Sequence, residues 1–340
     1  MPHPYFGLSL NNRASVFLDN YPPADMIRMA ERAEELCFGS VWVGDSLIDS
    51  PRYEPITILG GVAARTSRVR LGGSIIQPHF RNPLVLALSW ATLDRLSGGR
   101  TILTFGIGGG TPAGVAKEAE LVGVDVRKRG RAIEENIEIL RKLWSGQVLE
   151  HKGEIYSLSG AKIGYLPVQK LPPIWIAAGV WVPKSQDKVV LSATPGYTRE
   201  KEGAYTGAFD RVARLADGWF TIMIHPEEFR EKSEQITEIA RSKYGRKASE
   251  ITRAVECWFN VNPDRDRARS EVKGMIEGYF ANPVDIETVE RWSIYGTREE
   301  CVKRIEAFRE AGAEEIKLIM GSRDQLGMLD EVGKAILPSF

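Results

Sequence analysis

Residues 69–110 constrain the fold more than any other stretch of this chain. They read VRLGGSIIQPHFRNPLVLALSWATLDRLSGGRTILTFGIGGG. Val69 to Ile76 is short, apolar and rich in β-branched side chains, which predicts a buried strand. Asn82 stands as an N-cap before Pro83 at the first helical position, where a missing N–H costs nothing. Leu86, Trp90, Leu93 and Leu96 then recur at helical spacing, and Ser97-Gly98-Gly99 stops the helix. Thr101 to Ile107 is a second apolar run of strand length. Strand, helix and strand within about forty residues make a βαβ unit, whose strands lie parallel in one sheet. Both strand ends are unusual. The first leaves through Ser74-Ile75-Ile76-Gln77-Pro78-His79, and the second dissolves into Gly106-Ile107-Gly108-Gly109-Gly110. Glycines there let the backbone bend sharply or let something pack against it. The carboxyl ends of parallel strands are where such folds bind ligands.

The rest of the chain repeats that unit. Tyr5 to Leu10 and Ser40 to Gly44 read as strands one and two, with helices from Pro22 and from Glu54 to Arg65. Met26, Ala30, Ala33 and Cys37 share a face of the first helix. Strand starts near Tyr5, Val41, Val69 and Thr101 are roughly thirty residues apart, the βα repeat of an eight-fold barrel. Further strands are predicted at Ile174–Ala178, Gly218–Ile224, Thr252–Val261 and Glu315–Met320. Helices are predicted at Arg129–Trp144, Asp210–Ala216, Glu227–Tyr244, Asp264–Phe280, after Thr297, and from about Asp324 to Ile336. The expectation is an α/β fold, a single TIM (β/α)8 barrel spanning 1–340. Insertions follow the fourth helix (His151 to Pro173) and strand five (180–206). With little periodicity and no secondary structure of its own, 180–206 reads either as a lid over an active site or as a surface insertion without a chemical role.

Composition removes several functions. With Lys plus Arg 45 and Asp plus Glu 45, formal charge is zero over 340 residues. No run of one sign offers a face for phosphates, so nucleic acid is excluded as a main partner. Cys37, Cys257 and Cys301 fit no metal spacing and read as buried free thiols. No metal site is expected. The opening MPHPYFGLSL lacks the basic and long apolar regions of a signal peptide, and no stretch approaches a membrane span. A soluble cytoplasmic protein is expected.

Five runs together carry a family likeness. VWVGDSL (41–47), NPLVLALSWATLDRLSGGRTILTFGIGGG (82–110), RGRAIEENIEILRKLW (129–144), PPIWIAAG (172–179) and LADGWF (215–220) resemble the bacterial luciferase-like superfamily. A weaker likeness continues through GTREECVKRIEAFREAGAEEIKLIM (296–320). Members of that superfamily are flavin monooxygenases, and reductases or dehydrogenases that use the deazaflavin coenzyme F420. The GDSL at 44–47 is not read as a lipase motif, because no G-x-S-x-G elbow is present.

The resemblance implies a ring-shaped cofactor at the carboxyl ends of the strands. A non-prolyl cis peptide at the end of strand three, here Ser74-Ile75, would support the ring. Gly106, Gly108 and Gly109 would form a neighbouring wall, and the cofactor phosphate would sit near Ala178 and Gly179, on free backbone N–H groups. It also suggests a homodimer through the early helices. Three departures stand out. Luciferase carries a cysteine and an arginine where this chain has Gly108 and Gly109. Deazaflavin sugar-phosphate dehydrogenases carry a histidine where this chain has Ser46. About 25 extra residues follow Gly179, a length uncommon for a loop in a compact domain.

The candidate catalytic residues are His79, Asp45 and Ser46. His79 follows the bulge and, as a histidine, titrates near neutrality. Asp45 ends strand two at the same rim and would orient substrate or bond the ring, while Ser46 would donate a hydrogen bond. His225 begins a helix and reads as structural. Trp42, Trp175 and Trp219 sit within strands and read as core. Arg129 and Arg131 read as ion-pair partners of Glu134 and Glu135. Glycine and apolar walls suit a reduced flavin that must be kept dry. The leading expectation is therefore a reduced-FMN-dependent monooxygenase of a small organic substrate, supplied by a separate flavin reductase. It is preferred because no histidine stands at position 46. The alternatives are F420-dependent hydride transfer, or a flavin-binding protein without turnover. An unrelated barrel lyase would need a Schiff-base lysine, for which Lys317 is the candidate.

Overall fold

In the computed structural model, which describes residues 3–19, 21–109, 112–180 and 206–340, the apolar runs close into one sheet. Eight parallel strands form the barrel: β1 (His3–Ser9), β2 (Phe38–Val43), β3 (Arg70–Ile76), β4 (Thr101–Phe105), β7 (Ile174–Ala177), β8 (Gly218–Ile222), β9 (Thr252–Val261) and β11 (Glu315–Met320). The β8–β9 pairing closes the ring. The fold is a TIM barrel, as expected. Its helices are α1 (Pro23–Glu35), α2 (Pro55–Arg65), α3 (Pro83–Leu96), α4 (Pro112–Leu121), α5 (Arg129–Trp144), α6 (Thr206–Leu215), α7 (Pro226–Tyr244), α8 (Arg265–Phe280), α9 (Ile286–Trp292), α10 (Arg298–Glu310) and α11 (Gln325–Glu331).

Strand alternation sorts side chains between two cores. Leu8, Val41, Leu71 and Leu103 pack outward into the main apolar core shared with the helices. Trp42, Ile102, Trp175, Phe220 and Ala254 make a separate cluster, which fills the barrel interior. Trp42 and Trp175 lie 5.2 Å apart, so both are core, as their strand positions predict. Glycine makes that possible. A Cβ on Gly72 would come within 1.8 Å of the Trp42 ring.

The amino-terminal face of the barrel is wired shut. Asp94 accepts from Thr101 Oγ1 at 2.7 Å and from the Gln169 amide nitrogens at 2.9 and 2.7 Å. Arg100 donates to the carbonyls of Val69, Thr66 and Ser97 at 2.6, 2.8 and 2.6 Å. The LDRLSGGR run is therefore a structural clamp, far from the carboxyl ends of the strands.

Several elements add to or differ from the predicted ones. β5 (Leu149–Lys152) and β6 (Ser157–Ala161) form an antiparallel hairpin within the first insertion. β10 (Ser293–Gly296) adds to the end of β9 outside the ring. Helices α4 and α9, short and weakly periodic, have no counterpart among the predicted elements. The last helical stretch runs from Gln325 to Ile336, as predicted, its final part a π turn over Val332–Ile336. Cys37 lies beyond the end of α1 with φ +65° and is half-buried, so it is neither on that helix nor a core thiol. Cys257 and Cys301 are buried, and burial pushes each thiol up to about 12. Among the described residues no helix is long and apolar enough to cross a membrane. Gly110 and the proposed lid at 181–205 lie outside the described residues.

Candidate active site

At the carboxyl ends of the strands, β3 breaks register with β4 between Ser74 and Ile76, and the Ser74-Ile75 peptide is cis. The bulge turns Ile75 into the barrel mouth, where it packs with Ala177 and Ile222 above the interior cluster. All three are only partly buried, so they make an apolar floor open from above. Ser74 faces inward and accepts from Lys317 Nζ at 3.1 Å.

The glycines after β4 do three different things. A Cβ on Gly106 would come 2.4 Å from Ile75 Cδ1, so its bareness makes room for the bulge. Gly108 has φ +76°, and a Cβ there would lie 1.9 Å from Gln77 Oε1. Of the three, only Gly109 has nothing within 4 Å among the described residues. The expectation of a bare three-glycine wall is therefore corrected: Ile75 and Gln77 fill two of the three vacancies.

None of the three nominated catalytic residues is free to act as the sequence suggested. Asp45 has a side chain 1% exposed, is clamped by Arg81 at 2.5 and 3.1 Å, and accepts from Gln77 N at 3.0 Å. It joins the ends of β2 and β3 rather than facing substrate. Ser46 donates to Glu118 Oε1 at 3.0 Å, and the same oxygen accepts from the backbones of Leu47, Ile48 and Asp49. Glu118 of α4 thus holds the β2–α2 loop across the rim. His79 is 4% exposed; burial, then the charges of Arg129 and Arg81, lowers its pKa to about 3. It stays neutral at physiological pH, which corrects the expectation of a neutral-range acid–base. Its Nδ1 is buried without a partner among the described residues.

Arg129 is corrected too. It donates to the carbonyl of Ile107 at 2.6 Å and to Val126 at 3.0 Å, so it braces the glycine-rich turn instead of pairing with glutamate. Arg131 does pair with Glu134 and Glu135. His225 caps α7 and faces Arg304 at 3.0 Å through Nδ1, a structural role as read. At the predicted phosphate position the Ala178 N–H is spent on the Phe220 carbonyl at 3.1 Å, so it is not a free donor. Gly179 has φ +78°, and its carbonyl accepts from Lys232 Nζ at 2.9 Å, which brings a cation to that corner.

Apart from Lys317, which the sequence singled out for another chemistry, the polar groups inside the barrel were the larger omission. Lys317 is fully buried, with Nζ 3.3 Å from the Trp42 ring centroid and 3.9 Å from that of Phe220. Burial lowers its pKa to about 7, opposed by Glu315 and Glu256. Glu256, its register partner on β9, accepts from Ser9, and burial raises its pKa. Glu315 accepts from Ser40, from Trp42 Nε1 at 2.7 Å and from Arg70 at 2.9 Å. The sequence signal was available: in EIKLIM, Glu315 and Lys317 alternate onto one face of a buried strand.

A fold of this kind with a bulged, glycine-flanked mouth defines a recognisable class. The family model for luciferase-like monooxygenases matches residues 5–184, more than half of the chain, and the protein belongs to that family. It is 27% identical over 344 residues to an F420-dependent glucose-6-phosphate dehydrogenase of Amycolatopsis mediterranei, covering 95% of this chain and 96% of that one. Its fold matches that of the coenzyme F420 dependent tetrahydromethanopterin reductase of Methanopyrus kandleri, with TM-score 0.76, 20% identity and 99% of each chain covered. A monooxygenase from Streptomyces bottropensis matches with TM-score 0.73 and 20% identity over 100% of this chain and 99% of that one. At such identities the two structures speak for the fold alone.

Proposed function

We propose that the protein is an oxidoreductase that binds the deazaflavin F420 at the barrel mouth and exchanges a hydride with a small organic substrate. The observation that carries this reading is the end-to-end likeness to an F420-dependent dehydrogenase, across 95% of the chain. It is preferred over reduced-FMN monooxygenation, the leading expectation from sequence. That preference rested on the absence of a histidine at position 46.

The described residues fit a flat ring. Ile75, Ala177 and Ile222 offer it an apolar floor, and Gly109 leaves one edge unobstructed. Lys232 beside Gly179 would meet a phosphate tail at the far corner. Bound there, the deazaflavin would supply two-electron hydride chemistry. The chain supplies position and exclusion of water. Asp45, Gln77 and Arg81 fix the β2 and β3 ends, Glu118 pins the rim loop, and Arg129 braces the turn after β4. Lys317 places an ammonium beneath Ser74 in a site walled by Trp42 and Phe220. Electrostatics of this kind count for more in a dry barrel than in water.

Glucose 6-phosphate is not proposed as substrate, since Ser46 occupies the histidine position and is bound to Glu118. The test is a fluorescence titration of purified protein with F420 and with FMN, followed by anaerobic mixing of the F420 complex with candidate alcohols and ketones. Substrate-dependent change in F420 absorbance without oxygen supports the reading. Turnover that requires FMN and oxygen replaces it with monooxygenation.

A further inference from the structure

Opposite the Gly179 corner, across the barrel mouth, two arginines converge with no acid at ion-pair distance among the described residues. Arg13 follows β1, and Arg52 lies on the loop between β2 and α2. Their guanidiniums approach the Tyr279 ring at 5.5 and 5.1 Å from its centroid. Arg52 also overlies Gly44, where a Cβ would lie 3.2 Å from the guanidinium carbon. Arg52 donates to the Tyr279 hydroxyl and, at 3.4 Å, to Asn12 Oδ1, both uncharged acceptors. Nε of each arginine is buried and has no partner among the described residues, and the same holds for both polar atoms of the Asn11 carboxamide. Arg13 and Asn11 are each 5% exposed.

This arrangement is costly as it stands. A cation taken out of water without a counter-ion loses hydration that an aromatic face and neutral acceptors only partly replace. Burial pulls the Arg13 guanidinium below its ordinary value, and Arg52 adds to that effect; Tyr279 and Asp49 act against it. Other rim arginines are treated differently. Arg81 is met by both Asp45 and Glu54, and Arg291 by Glu228 and Glu287. The nearest acids to the pair act from beyond ion-pair distance: Asp49 on Arg13, and Glu256 on Arg52 from inside the barrel.

The geometry points to a site for an oxyanion, the carboxylate or phosphate group of the substrate, held by Arg13 and Arg52. Planar guanidiniums match such groups through paired hydrogen bonds. The site rests on the proposed function only in assigning the anion to substrate. In strand order β1 and β2 lie across the ring from β7 and β8, so a cofactor tail at Gly179 leaves this side free.

The test uses the full-length protein without any ring, titrated with inorganic phosphate and with benzoate at constant ionic strength. The readout is tryptophan fluorescence, since Trp258 and Trp292 each lie 5.7 Å from Tyr279. Saturable binding of at least one probe is expected, weakened tenfold or more in Arg13→Met and in Arg52→Met, and less in Arg13→Lys. Phosphate alone saturating marks a phosphorylated substrate, and benzoate alone a carboxylic acid. Melting curves check each variant; should Arg13→Met unfold, Arg13→Lys and Arg52→Met decide. No saturation with either probe, or equal affinity in wild type and folded variants, overturns the site. Because no ring is present, failure of F420 to bind would remove the proposed function and leave this result standing.

Discussion

The two ends of the barrel are built by opposite rules. At the amino-terminal face, Asp94, Arg100, Thr101 and Gln169 satisfy one another and the backbone around them. At the carboxyl-terminal face, Asn11, Arg13, Arg52, His79 and Asn260 all hold buried polar atoms without a partner among the described residues. Unmet hydrogen bonds cost stability, so each calls for a partner, water or a ligand. The base secures the barrel; the mouth holds binding capacity in reserve.

That contrast makes distinct predictions for substitutions at the two ends and between them. The largest effect belongs to the interior that joins them. Gly72→Val would drive a side chain into Trp42 and should destabilise by about 3 kcal/mol or more, read by urea unfolding. A loss below 1 kcal/mol would mean that Trp42 can move, and that the interior is less packed than described. At the base, Arg100→Met leaves the Val69, Thr66 and Ser97 carbonyls short of a donor. It should cost about 2 kcal/mol of stability with ring affinity unchanged. A variant that kept its stability but lost the ring would erase the division of labour.

At the mouth the pattern should invert. A Cβ at Gly109 meets no atom of the described residues within 4 Å, so Gly109→Leu should hold stability within about 0.5 kcal/mol. Ring affinity should fall by about tenfold, near 1.4 kcal/mol, measured by fluorescence titration. Unchanged affinity would place the ring elsewhere. A further prediction concerns acid. His79 titrates near 3 in the folded protein and near its ordinary 6.5 when unfolded, so the unfolded chain binds the extra proton between those values. Stability from this residue is intact above pH 6.5 and drains away as pH falls toward 3. His79→Phe should flatten that part of the pH–stability curve, and an identical slope in the variant would show that His79 charges freely.

How far the sequence revealed this division depends on the residue. Barrel strands were legible because long β-branched runs are buried on both faces and repeat at a regular interval. The Ser74-Ile75 bulge and the glycines after β4 were legible because they interrupt strands where ligands bind. Side-chain commitments were not. Asp45 looks like any aspartate at a strand end until Arg81, thirty-six residues later, is folded against it. His79 reads as a neutral-range base because nothing in its neighbours announces its burial beside Arg129. Gly106 and Gly108 looked like open wall, since glycine does not say what fills the space it leaves. Helices α4 and α9 are held by tertiary contact more than by their own periodicity, so pattern reading passed over them. Arg13 and Arg52 lay in polar loops, where exposed arginines are ordinary and buried ones leave no local trace.

The most direct test of the account is equilibrium binding of F420 and FMN to the wild-type protein and to Gly109→Leu, with unfolding curves run in parallel. The account predicts saturable F420 binding to the wild type in preference to FMN, weakened by the leucine while the unfolding midpoint stays in place. Preference for FMN, or F420 binding indifferent to residue 109, would contradict it.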